Sequence, residues 1–138
     1  DCSVPPYNSS IGSHVRHILD FYDCILTKRN HVDLTHRKRQ IDVETNCDVA
    51  LKYSNKLIEK LEDIDLAKLN NMVLVTDDLG LGKVDIEYTY ISLLAQANSH
   101  AIHHYAIINY ILQGLEITLV DRSFGYNPTT PQPKTNVN

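Results

Sequence analysis

Between Thr89 and Gly114 the apolar residues Leu93, Ala97, Ile107 and Ile111 share one helical face, and His100 and His104 fall on that face with them. No other stretch limits the fold as much. The spacing predicts a helix from about Thr89 to about Gln113, stopped by Gly114. A face of this kind must be covered by other elements. Its two imidazoles must be hydrogen-bonded, partly solvated or metal-bound, because an unpartnered polar group in a core costs free energy.

Two more amphipathic helices are available as cover. Ser9 or Ser10 can cap a helix from about Ile11 to Lys28, with Ile11, Val15, Ile18, Leu19, Tyr22, Ile25 and Leu26 as its buried stripe. Thr45 or Asn46 can cap a second, reaching about Asp63, with Val49, Leu51, Tyr53, Leu57, Ile58 and Leu61 as its apolar set. His31 to Glu44, polar and dense in charge, reads as a surface connection between them. The period then changes. Met72 to Thr76 and Val84 to Tyr88 are short β-branched runs around Gly80 and Gly82, which predicts a hairpin with a loop over Asp77 to Lys83. Asp1 to Asn8, containing Pro5-Pro6, reads as an extended lead-in, and 119–138, with Pro128, Pro131 and Pro133, as an extended tail that wraps the surface or stays disordered. At 138 residues the whole chain, 1–138, is expected to form one domain.

Composition narrows the function classes. The net charge of -4 argues against a nucleic-acid surface, which draws on clustered Lys and Arg. Charged or strongly polar residues interrupt every apolar stretch before it reaches the roughly 18 residues a membrane span needs. Cys2, Cys24 and Cys47 are odd in number and widely spaced. They read as reduced thiols, hence a cytoplasmic protein, with Cys24 a small core residue.

Chemistry is to be sought among the histidines: His14 and His17 in the first helix, and His100, His103 and His104 in the last. Residues four apart stack one turn along a helix, so His100 and His104 can reach one ion. His103, about 100° round the helix from His104, cannot share it without distortion. The plain alternative is two satisfied core histidines. A metal normally takes at least three protein ligands, and the first helix offers two candidates. Spacing favours His14, nearer the apolar stripe, whereas His17 shares a flank with Phe21 and Cys24. Asp20, one turn from His17, reads either as an acceptor orienting that imidazole or as an ordinary surface carboxylate. The basic run His36-Arg37-Lys38-Arg39 reads as a solvated loop, or as a grip for an anionic substrate or a neighbouring subunit's carboxylates.

The stretch from Ser10 to Asp20 resembles the opening of the metal-site helix in the DinB-like (YfiT-like) superfamily, where a histidine before two apolar residues is the first ligand. That position is His17. Ser99 to Ile108 resembles the second motif of the superfamily, which places the other ligands at His100 and His104, and Phe124 to Thr130 resembles a tail segment of one branch. The resemblance implies an all-α, up-and-down four-helix bundle with a short β-hairpin insertion. It also implies that the first bundle helix is missing from this sequence, to be supplied by the encoded protein or by a partner. Phe21 stands where a related branch often has a further histidine. The site implied by the resemblance is open, with His17, His100 and His104 holding one divalent ion: Zn, Ni or Fe(II). The activities implied are a metal-dependent hydrolase or a thiol S-transferase with a small-molecule substrate, the latter using a low-molecular-weight thiol, in a homodimer. The alternative is a non-catalytic, metal-stabilised bundle serving as an interaction or stress-response module.

Overall fold

The computed structural model of the chain describes residues 1–27 and 30–131. Helix α1 spans Ile11–Ile25, strand β1 His31–Asp33, helix α2 Cys47–Glu62, strands β2 and β3 Met72–Asp78 and Lys83–Thr89, and helix α3 Tyr90–Gly114. Single 3-10 turns lie at Ile41–Glu44 and Leu66–Lys68.

The helices begin at short polar side chains that accept backbone N–H groups the first turn leaves unpaired. Ser10 accepts from Ser13 N, Asn46 from Asp48 N and Val49 N, and Thr89 from Ser92 N. Helix α1 ends at Ile25, so the Lys28 end expected from the sequence lies outside the described residues. Its stripe rotates slightly from the expected one: Ile18, Phe21 and Ile25 are buried, while Ile11, Val15, Leu19 and Tyr22 are only partly so. On α3 the apolar members of the expected face, Leu93, Ala97, Ile107 and Ile111, are buried, with His100 and His104 half-buried between them.

One expectation is corrected. The described residues do not form an all-α four-helix bundle with an appended hairpin; they form three helices and a three-stranded mixed sheet of order β1-β2-β3. β2 and β3 are antiparallel, Val73 opposite Tyr88 and Val75 opposite Ile86, and β1 runs parallel to β2 with Val32 opposite Val75. The sheet is a layer of the core. Val32, Val73 and Val75 are buried in the same cluster as Phe21, Ile25, Leu57, Leu93 and Ala97. β1 was unreadable as a strand because three residues in a charged stretch carry no period of their own; pairing with β2 defines it. The loop of the hairpin is also shorter than expected, since the ladder extends to Asp78 and Lys83.

Two further apolar clusters line the α1–α3 seam: Ile18 with Ala101, Ile108 and Leu112, and Val4 with Ile107 and Ile111. Residues 119–131 form turns that fold back on α3, so that Phe124 joins the first of these clusters. Gly125 makes this possible. Its φ is +83°, and a Cβ there would lie 2.5 Å from Asn109 Cβ. The rest of the expected tail, with Pro133, lies outside the described residues. Helix α2 is thinly covered: of its expected apolar set only Leu57 is buried, while Leu51 and Ile58 are exposed. No helix of the described residues is long and apolar enough to cross a membrane.

Candidate metal centre

Helices α1 and α3 pack antiparallel, and their histidines meet rung by rung along the seam. His17 Nε2 lies 2.8 Å from His100 Nε2, and one turn further His14 Nδ1 lies 2.9 Å from His104 Nδ1. The His104 ring centroid is 4.6 Å from those of both His17 and His100. His17, His100 and His104 each offer a ring nitrogen, and these nitrogens all lie within 4.8 Å of one another.

This arrangement suits a metal ion. Zn–N bonds of about 2.0–2.1 Å in a tetrahedral site separate two nitrogens by about 3.3 Å, a spacing between the 2.8 Å of the His17–His100 pair and the 4.8 Å within which all three nitrogens lie. Burial comes first, and neighbouring cationic and imidazole groups second, in lowering the imidazole pKa values. His17 falls to about 4 and His104 to about 3, while His14 and His100 are also lowered. All are therefore neutral near pH 7, the state in which a histidine can bind a metal. Gln96, one turn before His100 on α3, carries a buried Oε1 that no donor meets among the described residues.

The surroundings fix the rings. Phe21 stacks on His100, centroids 4.5 Å apart and planes at 23°. Ser9 Oγ lies 2.7 Å from His14 Nε2, so Ser9, His14 and His104 form a chain of hydrogen bonds. Helix α1 therefore places both of its candidate histidines at the site: His17 in the three-histidine group, His14 behind His104. Spacing pointed to one and the motif to the other, and neither alone showed that they occupy successive rungs. His103 is exposed and meets the His104 ring edge-on, 5.3 Å between centroids.

Asp20 is neither a partner of His17 nor a surface group. It is 3% exposed, accepts from Arg16 Nη1 at 2.8 Å and lies 3.4 Å from Gln40 N. Arg16 also donates to Glu44, 2.5 Å away. Cys24 is half-buried against the core, with Sγ 3.5 Å from the Asp33 carbonyl oxygen.

No family model, curated protein or solved structure matches this chain. The chemistry of the site has to be read from its own geometry.

Proposed function

We propose that His17, His100 and His104 hold one divalent metal ion and that the chain is a metal-dependent enzyme of hydrolase or thiol S-transferase type. The convergence of three ring nitrogens from two helices within 4.8 Å carries this reading. Three neutral imidazoles suit Zn, Ni or Fe(II). When bound through three protein nitrogens, such an ion keeps positions for exogenous ligands, lowers the pKa of a water or thiol held there, and polarises a carbonyl.

The chain's own residues prepare that site. His14 holds the His104 ring in one orientation, as a hydrogen-bonded partner of a ligand does. Phe21 covers one face of His100 and keeps water from it. The motifs around His17 and around His100 and His104, which resemble those of the DinB-like superfamily, support the enzyme class and the low-molecular-weight thiol as co-substrate. The mixed sheet is a departure from that pattern. A small-molecule substrate, a homodimer and a cytoplasmic location belong to the same reading, and light scattering reads the second directly.

One observation favours a non-catalytic, metal-stabilised module instead. Asp20, one turn from His17, and Glu44 are both committed to Arg16, which leaves neither available for acid–base work. Screening thiol conjugation and ester or amide hydrolysis with zinc-, nickel- and iron-loaded protein separates the two. Turnover that disappears in His104→Ala supports the enzyme. Stoichiometric metal with no turnover in any screen supports the module.

A further inference from the structure

Helix α3 carries no Asp, Glu, Lys or Arg in its 25 residues, and packing within the chain explains only one side of it. The side opposite Leu93, Ala97, Ile107 and Ile111 holds Ile91, Ala95, Ser99, Ile102, Ala106 and Tyr110. Ile91 is 47% and Tyr110 52% exposed; Ala95, Ser99 and Ala106 are exposed as well, and Ile102 is half-buried. The chain's own tail folds back along another edge of the helix, at Tyr105 and Asn109, and leaves this face open. The exposed apolar residues of α2 are different in kind. Leu51 and Ile58 stand among exposed Asp48, Lys52, Lys56 and Glu59. A helix that is apolar all round is normally covered on every side. Low charge and an exposed Tyr are also the composition found at the centre of protein–protein interfaces.

Surface area and side-chain size point to the occupant. The chain exposes 9750 Å², whereas a compact monomer of 15.7 kDa exposes about 7,300 Å². The excess, about 2,400 Å², is well above the roughly 800 Å² that each partner gives to a stable dimer. The sizes along the face also fit a copy of itself. When two such helices run antiparallel about Ile102, that residue meets Ile102 of the second copy, Ala106 meets Ser99, and Tyr110 lies over Ala95. The bulky ring is set against the smallest side chain, twice by symmetry. Two uncharged faces also approach without the like-charge repulsion that a net charge of -4 brings elsewhere on the surface.

We propose that the outer face of α3 is an isologous interface, on which two copies of this chain pack their α3 helices antiparallel with Ile102 at the twofold axis. The inference gives the homodimer of the reading above its surface, and rests on that part of the reading alone. His100 and His104 lie on the far side of the helix from Ile102. Each copy therefore keeps a complete three-histidine group, and metal binding can be measured apart from assembly.

The test is sedimentation equilibrium on the native chain and on variants of the exposed face, with circular dichroism and zinc uptake measured alongside. The native chain should sediment at twice its 15.7 kDa mass. Ala106→Glu keeps a good helix former at an exposed position, yet sets two like charges into the interface. It should raise the dimer dissociation constant a hundredfold or more, with helix content and zinc stoichiometry as in the native chain. Adding Ser99→Lys to the same chain should restore the dimer, because the antiparallel register sets each new cation beside the other copy's new carboxylate. Ala95→Glu repeats the first test at a second position should Ala106→Glu fail to fold. A dimer that tolerates both glutamates would overturn the proposed face and leave the homodimer to another surface. Failure of Ser99→Lys to rescue Ala106→Glu would overturn the antiparallel register. A native chain that stays monomeric at high concentration would overturn the dimer altogether and give the face to a different partner, while zinc uptake by that monomer would still support the metal centre.

Discussion

His104 is set by three imidazoles: those of His17 and His100, which complete the three-histidine group, and that of His14 behind it. Replacing a partner of this second kind costs about 10–100-fold in metal affinity. His14→Ala is therefore expected to weaken zinc by about that factor in competition with a chromophoric chelator, and His104→Ala to abolish tight binding; equal losses would make His14 a ligand. Protonation acts on the same rings. In the metal-free fold His17 titrates at about 4 and His104 at about 3, against 6.5 for a free histidine. As pH falls below about 6.5 the unfolded chain takes up protons that the folded chain refuses, so stability is full above that pH and declines toward pH 4. Urea melts of the metal-free chain should show lower stability at pH 5 than at pH 7.5, with a smaller difference in a His17→Gln, His104→Gln variant; an equal pH difference in both would refute this. At this scale the sequence was half legible. Spacing of four placed His100 and His104 on one face, but His14 and His17, nearly one turn apart, differ in role only by which rung of α3 each meets.

The helices were the legible elements. Each announces itself by a capping side chain and an apolar period, so Ser10, Asn46 and Thr89 set their starts with little help from the rest of the fold. The sheet was only partly so, because β1 borrows its order from β2 and its own residues are mostly polar or charged. The contact between α1 and the 3-10 turn at Ile41–Glu44 was not legible either, yet it positions Glu44 for Arg16. It depends on Gly12, where a Cβ would overlap the Glu44 carbonyl oxygen. On helix propensity alone Gly12→Ala should stabilise by about 1 kcal/mol. Here the overlap dominates, and an overpacked contact typically costs about 1–3 kcal/mol. The expected result is a lower melting temperature for Gly12→Ala; a rise would show that the turn moves away freely.

For the whole molecule, the three-histidine group joins the first helix to the last across most of the sequence, and the sheet and α2 close the core at one end of that seam. A ligand that binds only the folded chain stabilises it by mass action, by about 2.7 kcal/mol at a hundredfold excess over Kd. Chelation should accordingly lower the melting temperature of the native chain by several degrees and leave a His104→Ala chain unaffected. The most direct measurement is a calorimetric titration of zinc into metal-stripped protein, made in parallel on the native chain and on one with His17, His100 and His104 all replaced by alanine. One ion per native chain, with no binding to the variant, is the predicted result. A native chain that binds no zinc, or a variant that binds it with the same stoichiometry and affinity, would contradict the three-histidine centre.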